Sequence, residues 1–95
     1  IEQSSAILID LREDHEIQKE GKLAKAIHVP FHEISKYYSK NDLAKKEVFL
    51  YCAVGERSNL AVQISKSYNI KNIFHLVGGL KSWKLNGFDV LKSKN

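Results

Sequence analysis

Val48-Phe49-Leu50-Tyr51-Cys52-Ala53-Val54-Gly55-Glu56-Arg57-Ser58 is the stretch from which the fold can be read. Its first four residues are branched or aromatic and continuously apolar, as in a strand covered on both faces. Gly55 punctuates the run. From Ser58 onward Leu60, Ala61, Ile64 and Tyr68 recur at helical spacing. Asn69 stands where a left-handed C-cap is expected. The unit is therefore strand, short loop, helix.

The same alternation runs through the rest of the chain. Ala6-Ile7-Leu8-Ile9 predicts a buried strand, and the acids of Asp10-Leu11-Arg12-Glu13-Asp14-His15-Glu16-Ile17 suit the positive end of a short helix, which Gly21 closes. Ala26-Ile27-His28-Val29 reads as a strand stopped by Pro30, which has no N–H for a ladder. Residues 31–38 read as weakly helical, with Ile34, Tyr37 and Tyr38 on related faces. Ile73-Phe74-His75-Leu76-Val77 predicts another strand, ended by Gly78-Gly79. A last short helix runs from Leu80 to Asn86, with Gly87 as its stop. Strands alternating with helices give βαβ units, hence a three-layer α/β/α fold around a mostly parallel sheet of about five short strands. In such sheets, sites form beyond the carboxyl ends of the strands, which points to Cys52.

The 95 residues allow one domain over 1–95, with a core over about 6–91 and weakly anchored tails. No apolar run approaches the roughly 20 residues of a membrane span, and no leader pattern is visible. No membrane association is expected, and the cytoplasm is the expected compartment. The chain does not begin with Met, so trimming, excision from a larger protein and a removed leader all stay open. Fifteen Lys and Arg against 11 Asp and Glu give a net charge of +4. All but Arg12 and Arg57 are Lys, and they are scattered, unlike the clustered basic face of a nucleic-acid binder. A solvated surface that weakly favours small anions is expected, with a monomer or weak dimer.

Cys52 is the lone cysteine, so no internal disulfide forms. It is either an apolar filler at a strand end or a reactive thiol. Its position before a helix start, where unpaired N–H groups and a positive dipole end collect, favours a thiolate. No Pro interrupts residues 53–58, so every N–H is kept, and Gly55 allows the φ > 0 turn that would curl these groups inward. Arg57 adds a positive charge. His15, His28, His32 and His75 lack metal-ligand spacing, and Pro30 breaks the helix that would align His28 with His32. No metal or cofactor is expected.

Cys52-Ala53-Val54-Gly55-Glu56-Arg57-Ser58 resembles the Cys-x-x-Gly-x-Arg-Ser active-site loop of single-domain rhodanese-like sulfurtransferases. Three more segments resemble that family in order: Leu8-Ile9-Asp10-Leu11-Arg12-Glu13, Ala26-Ile27-His28-Val29-Pro30 and Gly78-Gly79-Leu80-Lys81-Ser82-Trp83. Together they cover Ile7 to about Val90. The resemblance implies a sulfurtransferase in which Cys52 takes a sulfane sulfur from a small anionic donor, thiosulfate or polysulfide, or from a persulfide. It then passes the sulfur to a thiol, which a protein could supply, or to cyanide. Ala53, Val54, Gly55, Glu56, Arg57 and Ser58 would hold the sulfur anion, and Asp10 and Arg12 would support the loop. The rival class is a non-catalytic interaction or sulfur-relay module of a larger protein. Cysteine phosphatases and arsenate reductases are disfavoured, because four residues separate Cys52 from Arg57 and the phosphatase loop has five.

Two positions depart from the family pattern. Gly21-Lys22-Leu23-Ala24-Lys25-Ala26 lacks the family's His and Pro, in what reads as loop structure. Glu56, if it faced a pocket, would repel thiosulfate by about 3 kcal/mol at roughly 6 Å and an effective dielectric near 20. That favours polysulfide or a protein persulfide as donor, unless Arg57 offsets it or Glu56 points outward. Other roles stay open: Arg57 as a surface residue, Ser58 as an N-cap or as a hydroxyl donor to sulfur, and Trp83 as a core anchor or a pocket wall.

Overall fold

The computed structural model describes residues 6–85, with nothing said of the side chains at 84 and 85. Four parallel strands form one sheet in the order β2-β1-β3-β4: β1 Ala6–Asp10, β2 Ile27–His28, β3 Glu47–Tyr51 and β4 Asn72–His75. Between and after them lie α1 Asp14–Glu20, a 3₁₀ turn Phe31–Glu33 running into α2 Ile34–Lys40, α3 Glu56–Ser65 and α4 Gly79–Leu85. The sheet has four strands among the described residues, against an expected five or so. Lys22 forms only an isolated bridge.

Period-two alternation along β3 decides which way the site faces. Val48 and Leu50 point, with Cys52 beyond them, into a core shared with Ile9, Ile34, Tyr38 and Ala61. Tyr51 points to the opposite layer, against Leu23, Ala26 and Leu80, with Trp83 packed on that cluster. The first layer is knit by α2 and α3: the Tyr38 hydroxyl donates to the Ala61 carbonyl at 2.8 Å, and the Tyr38 and Tyr68 rings lie 5.6 Å apart. Trp83 is thus a half-buried packing residue for α4.

Several boundaries move for identifiable reasons. The first helix begins at Asp14, not Asp10, because the Asp10 carboxylate accepts the backbone N–H of Arg12 at 2.9 Å and holds the chain in a turn. Glu13 then caps the helix, its N–H donating to Glu16 Oε1 at 2.7 Å. The helix predicted from Ser58 starts two residues earlier, at Glu56, so Ser58 lies inside the first turn and is not its N-cap. Its buried stripe is Ser58, Ala61 and Ser65, small side chains that let the helix approach the sheet, whereas Leu60 is 48% exposed. Asn69 is left-handed at φ 56°, as expected, but closes a turn beyond the end of α3 at Ser65. The strand predicted over residues 73–77 runs Asn72–His75, leaving Val77 exposed in the turn before Gly78. Gly87 lies outside the described residues.

Candidate functional site

Cys52 follows β3 directly, and its thiol is aimed into the turn that starts α3. The turn closes because Gly55, at φ +104°, occupies a left-handed conformation that a side chain would strain. The closure brings two backbone donors onto sulfur: Gly55 N–H at 3.2 Å and Ser58 N–H at 3.3 Å. The Ser58 hydroxyl oxygen lies 3.6 Å from Sγ. Burial pushes the thiol up, but the N–H and hydroxyl of Ser58 and the N–H groups of Gly55 and Arg57 outweigh it, so the thiol lies below its ordinary value. Cys52 is nevertheless fully buried. The structure closes the amide ring over the sulfur, where the sequence suggested a cradle open to small anions.

The other predicted residues take different places around this centre. Ala53 and Val54 form the outer arc of the loop, Val54 being half exposed. Glu56 is exposed at the first position of α3. Its carboxylate therefore sits in water, where its charge is screened, and the repulsion invoked against thiosulfate loses its basis. Arg57 acts on Cys52 through its charge and a side-chain hydrogen bond, but the main partner of its guanidinium is Glu16. Nη1 and Nη2 grip the two oxygens of Glu16 at 2.8 and 3.0 Å. Arg57 holds the Glu16 carboxyl down at about 2. The expected surplus of positive charge beside the thiol is thus an ion pair anchoring α1 to the loop.

Asp10 and Arg12 do not reach the sulfur. They brace the neighbouring strand end, both fully buried. Arg12 Nη2 donates to Asp10 Oδ2 at 2.8 Å and to the Gly21 carbonyl at 2.5 Å, and the guanidinium carbon lies 5.8 Å from the centre of the Tyr51 ring. Leu11 N–H donates to the Tyr51 carbonyl at 2.9 Å, fastening this turn to the residue before Cys52.

Three contributors escaped the sequence reading. Glu16 lies 41 positions from Arg57, and no local pattern connects them. Gly79, φ +64°, lets α4 begin against the loop: Leu80 N–H donates to the Cys52 carbonyl at 2.8 Å, and Lys81 N–H to that of Ala53 at 3.0 Å. A Cβ at Gly79 would stand 2.5 Å from the carbonyl of Ala53. Gly79→Ala is expected to cost more than about 2 kcal/mol of stability, through left-handed strain and the displaced loop, measured by thermal unfolding. His75, considered only as a metal ligand and set aside, places Nδ1 2.9 Å from the Ser58 hydroxyl. Its place at the carboxyl end of a parallel strand was the available signal. Among the described residues no group of three or more His, Cys, Asp or Glu could hold a metal ion.

Known proteins bear on this arrangement. The profile of the family described as "Rhodanese-like domain" matches residues 1–86. An uncharacterized protein of Synechocystis is 34% identical over 94 residues, covering 99% of this chain and 51% of that protein. The chain thus spans about half the length of that relative. The thiosulfate sulfurtransferase GlpE of Coxiella burnetii is 27% identical over 84 residues, covering 88% of this chain and 77% of its own. Among solved structures, a rhodanese-related protein of Thermoplasma volcanium superposes with a TM-score of 0.77 at 27% identity, covering 90% of this chain and 83% of that one.

Proposed function

Because the chain belongs to the rhodanese-like domain family, we propose that it is a sulfurtransferase that carries a sulfane sulfur as a persulfide on Cys52. The thiolate attacks the outer sulfur of thiosulfate or a polysulfide. The donor's S–S bond breaks, its electron pair leaves with sulfite or the shortened polysulfide, and a Cys52 persulfide anion remains. A thiolate or cyanide then attacks the terminal sulfur and returns the Cys52 thiolate.

The observation that carries this reading is the set of donors on Sγ. Two backbone N–H groups converge on one buried sulfur and make its thiol more acidic against the effect of burial. An inert buried cysteine has apolar neighbours and no such ring. The similarity to the thiosulfate sulfurtransferase of Coxiella supports the same chemistry. Since Sγ has no exposed surface, loading requires residues 53–55 to open outward, and the loop amides re-form around the larger persulfide. The length of the Synechocystis relative supports a second reading, a sulfur-relay module serving a longer protein.

The test is direct. After incubation with polysulfide or thiosulfate, intact mass should rise by one sulfur, and cyanide should then release thiocyanate. Loading by a protein persulfide but by neither small donor would favour the relay module. An unmodified mass with every donor would overturn both.

A further inference from the structure

A thiol with no exposed surface has no water to receive its proton, yet it must lose that proton to become a nucleophile. Two side chains hydrogen-bond to Sγ: the Ser58 hydroxyl, 3.6 Å away, and the Arg57 guanidinium, which is already fully protonated and cannot accept the thiol's proton. Ser58 is itself fully buried. Its oxygen lies 2.9 Å from His75 Nδ1, and His75 is only partly buried at the end of β4. Sulfur, hydroxyl and imidazole therefore form a continuous path from the closed pocket toward solvent.

We propose that His75, acting through Ser58, is the positioning residue that draws the Cys52 proton out and turns the Ser58 hydroxyl onto the resulting anion. In the thiol form Sγ–H donates to Ser58 Oγ, and the hydroxyl donates to Nδ1 of an imidazole protonated on Nε2. The thiol proton passes to Oγ as the hydroxyl proton passes to Nδ1, leaving a thiolate and an imidazolium. The Nε2 proton then leaves to water, and the ring ends neutral with its hydrogen on Nδ1. From there Nδ1–H donates to Oγ, and the single hydroxyl proton is free to donate to Sγ. The same three groups serve both states with every donor reversed.

Without the imidazole, the hydroxyl has a competing acceptor in the Gly55 carbonyl, 3.3 Å away, and the thiolate loses one of its donors. The charge that acts on the thiolate from α3 is that of Arg57, already paired with Glu16 of α1. It is unaffected by a change at His75.

This inference deepens the sulfurtransferase reading and rests on it for its purpose, but its test does not depend on sulfur transfer. The Cys52 thiol is titrated by thiolate absorbance in the full chain. His75→Leu is expected to raise its pKa by about one unit, roughly tenfold less thiolate at neutral pH. His75→Asn, whose amide nitrogen can occupy the place of Nδ1, is expected to restore most of the shift, and His75→Gln, which reaches the place of Nε2, is not. In a Ser58→Ala background, His75→Leu should add nothing further. An unchanged pKa in folded His75→Leu or His75→Gln, or additive effects of the Ser58 and His75 changes, would overturn the proposal. Equal rescue by Asn and Gln would overturn it too. Should the wild-type chain take up no sulfur, the transfer reading fails and these titrations still decide the role of His75.

Discussion

Cys52→Ser leaves the chain at its unmodified mass after exposure to polysulfide or thiosulfate, and cyanide then releases no thiocyanate above background. The expected loss is complete, because Cys52 is the lone thiol of the sequence and a serine hydroxyl is far too weak an acid to present an anion to sulfur at neutral pH. The substitution is also gentle on the fold. Gly55 N–H and Ser58 N–H, which now donate to Sγ at 3.2 and 3.3 Å, find an oxygen in nearly the same place, so neither amide is left buried without an acceptor. Stability should change by about 1 kcal/mol or less, the scale of one neutral hydrogen bond, and circular dichroism should match the parent. Intact mass after loading checks the claim. A sulfur adduct that persists on the serine variant would place the chemistry on another group.

What could be read in advance, and what could not, follows from how local each cause is. The loop from Cys52 to Ser58 was legible because its chemistry is contiguous: a strand end, an uninterrupted set of N–H groups, and a glycine able to take φ > 0. Which layer each residue of that continuously apolar strand would face was not legible, because Val48, Phe49, Leu50 and Tyr51 offer no polar alternation. Arg57 acts on Cys52 as expected, but its partner Glu16 comes from another helix, and an arginine read alone looks like free charge. His75 was dismissed on the question of metals, although its hydrogen bond to Ser58 joins two elements that only the sheet brings together. The closure over Cys52 was invisible for the same reason. The start of α4 against the Ala53 carbonyl was hidden too, an approach that the Gly78-Gly79 pair permits but does not announce.

The second large effect concerns Asp10 and Arg12, whose importance lies beneath the site. Both side chains are fully buried. Burial works against the Arg12 cation, and Asp10 more than offsets it, through hydrogen bonds from Nε and Nη2 to the carboxylate. Replacing one partner strands the other charge where no water reaches it. Arg12→Met or Asp10→Asn is therefore expected to cost about 3–5 kcal/mol, a large share of what a domain of this size has to lose. Because about 1 kcal/mol moves the midpoint of a domain of roughly 100 residues by some 4–8 °C, either variant should melt more than about 10 °C below the parent. The double variant should recover part of the loss, since no buried charge then remains. It will not recover all of it: Arg12 Nη2 also holds the Gly21 carbonyl, and the Asp10 carboxylate fixes the turn through the Arg12 N–H. Thermal melts of the two single variants and the double complete the cycle. Singles that lose less than about 1 kcal/mol, or losses that simply add, would mean the pair is not coupled. With the pair broken, the turn that fastens Leu11 to the Tyr51 carbonyl loosens one residue before Cys52, so the thiol's acidity should weaken in the same variants, linking a stability defect at β1 to the reactivity of a loop it never touches.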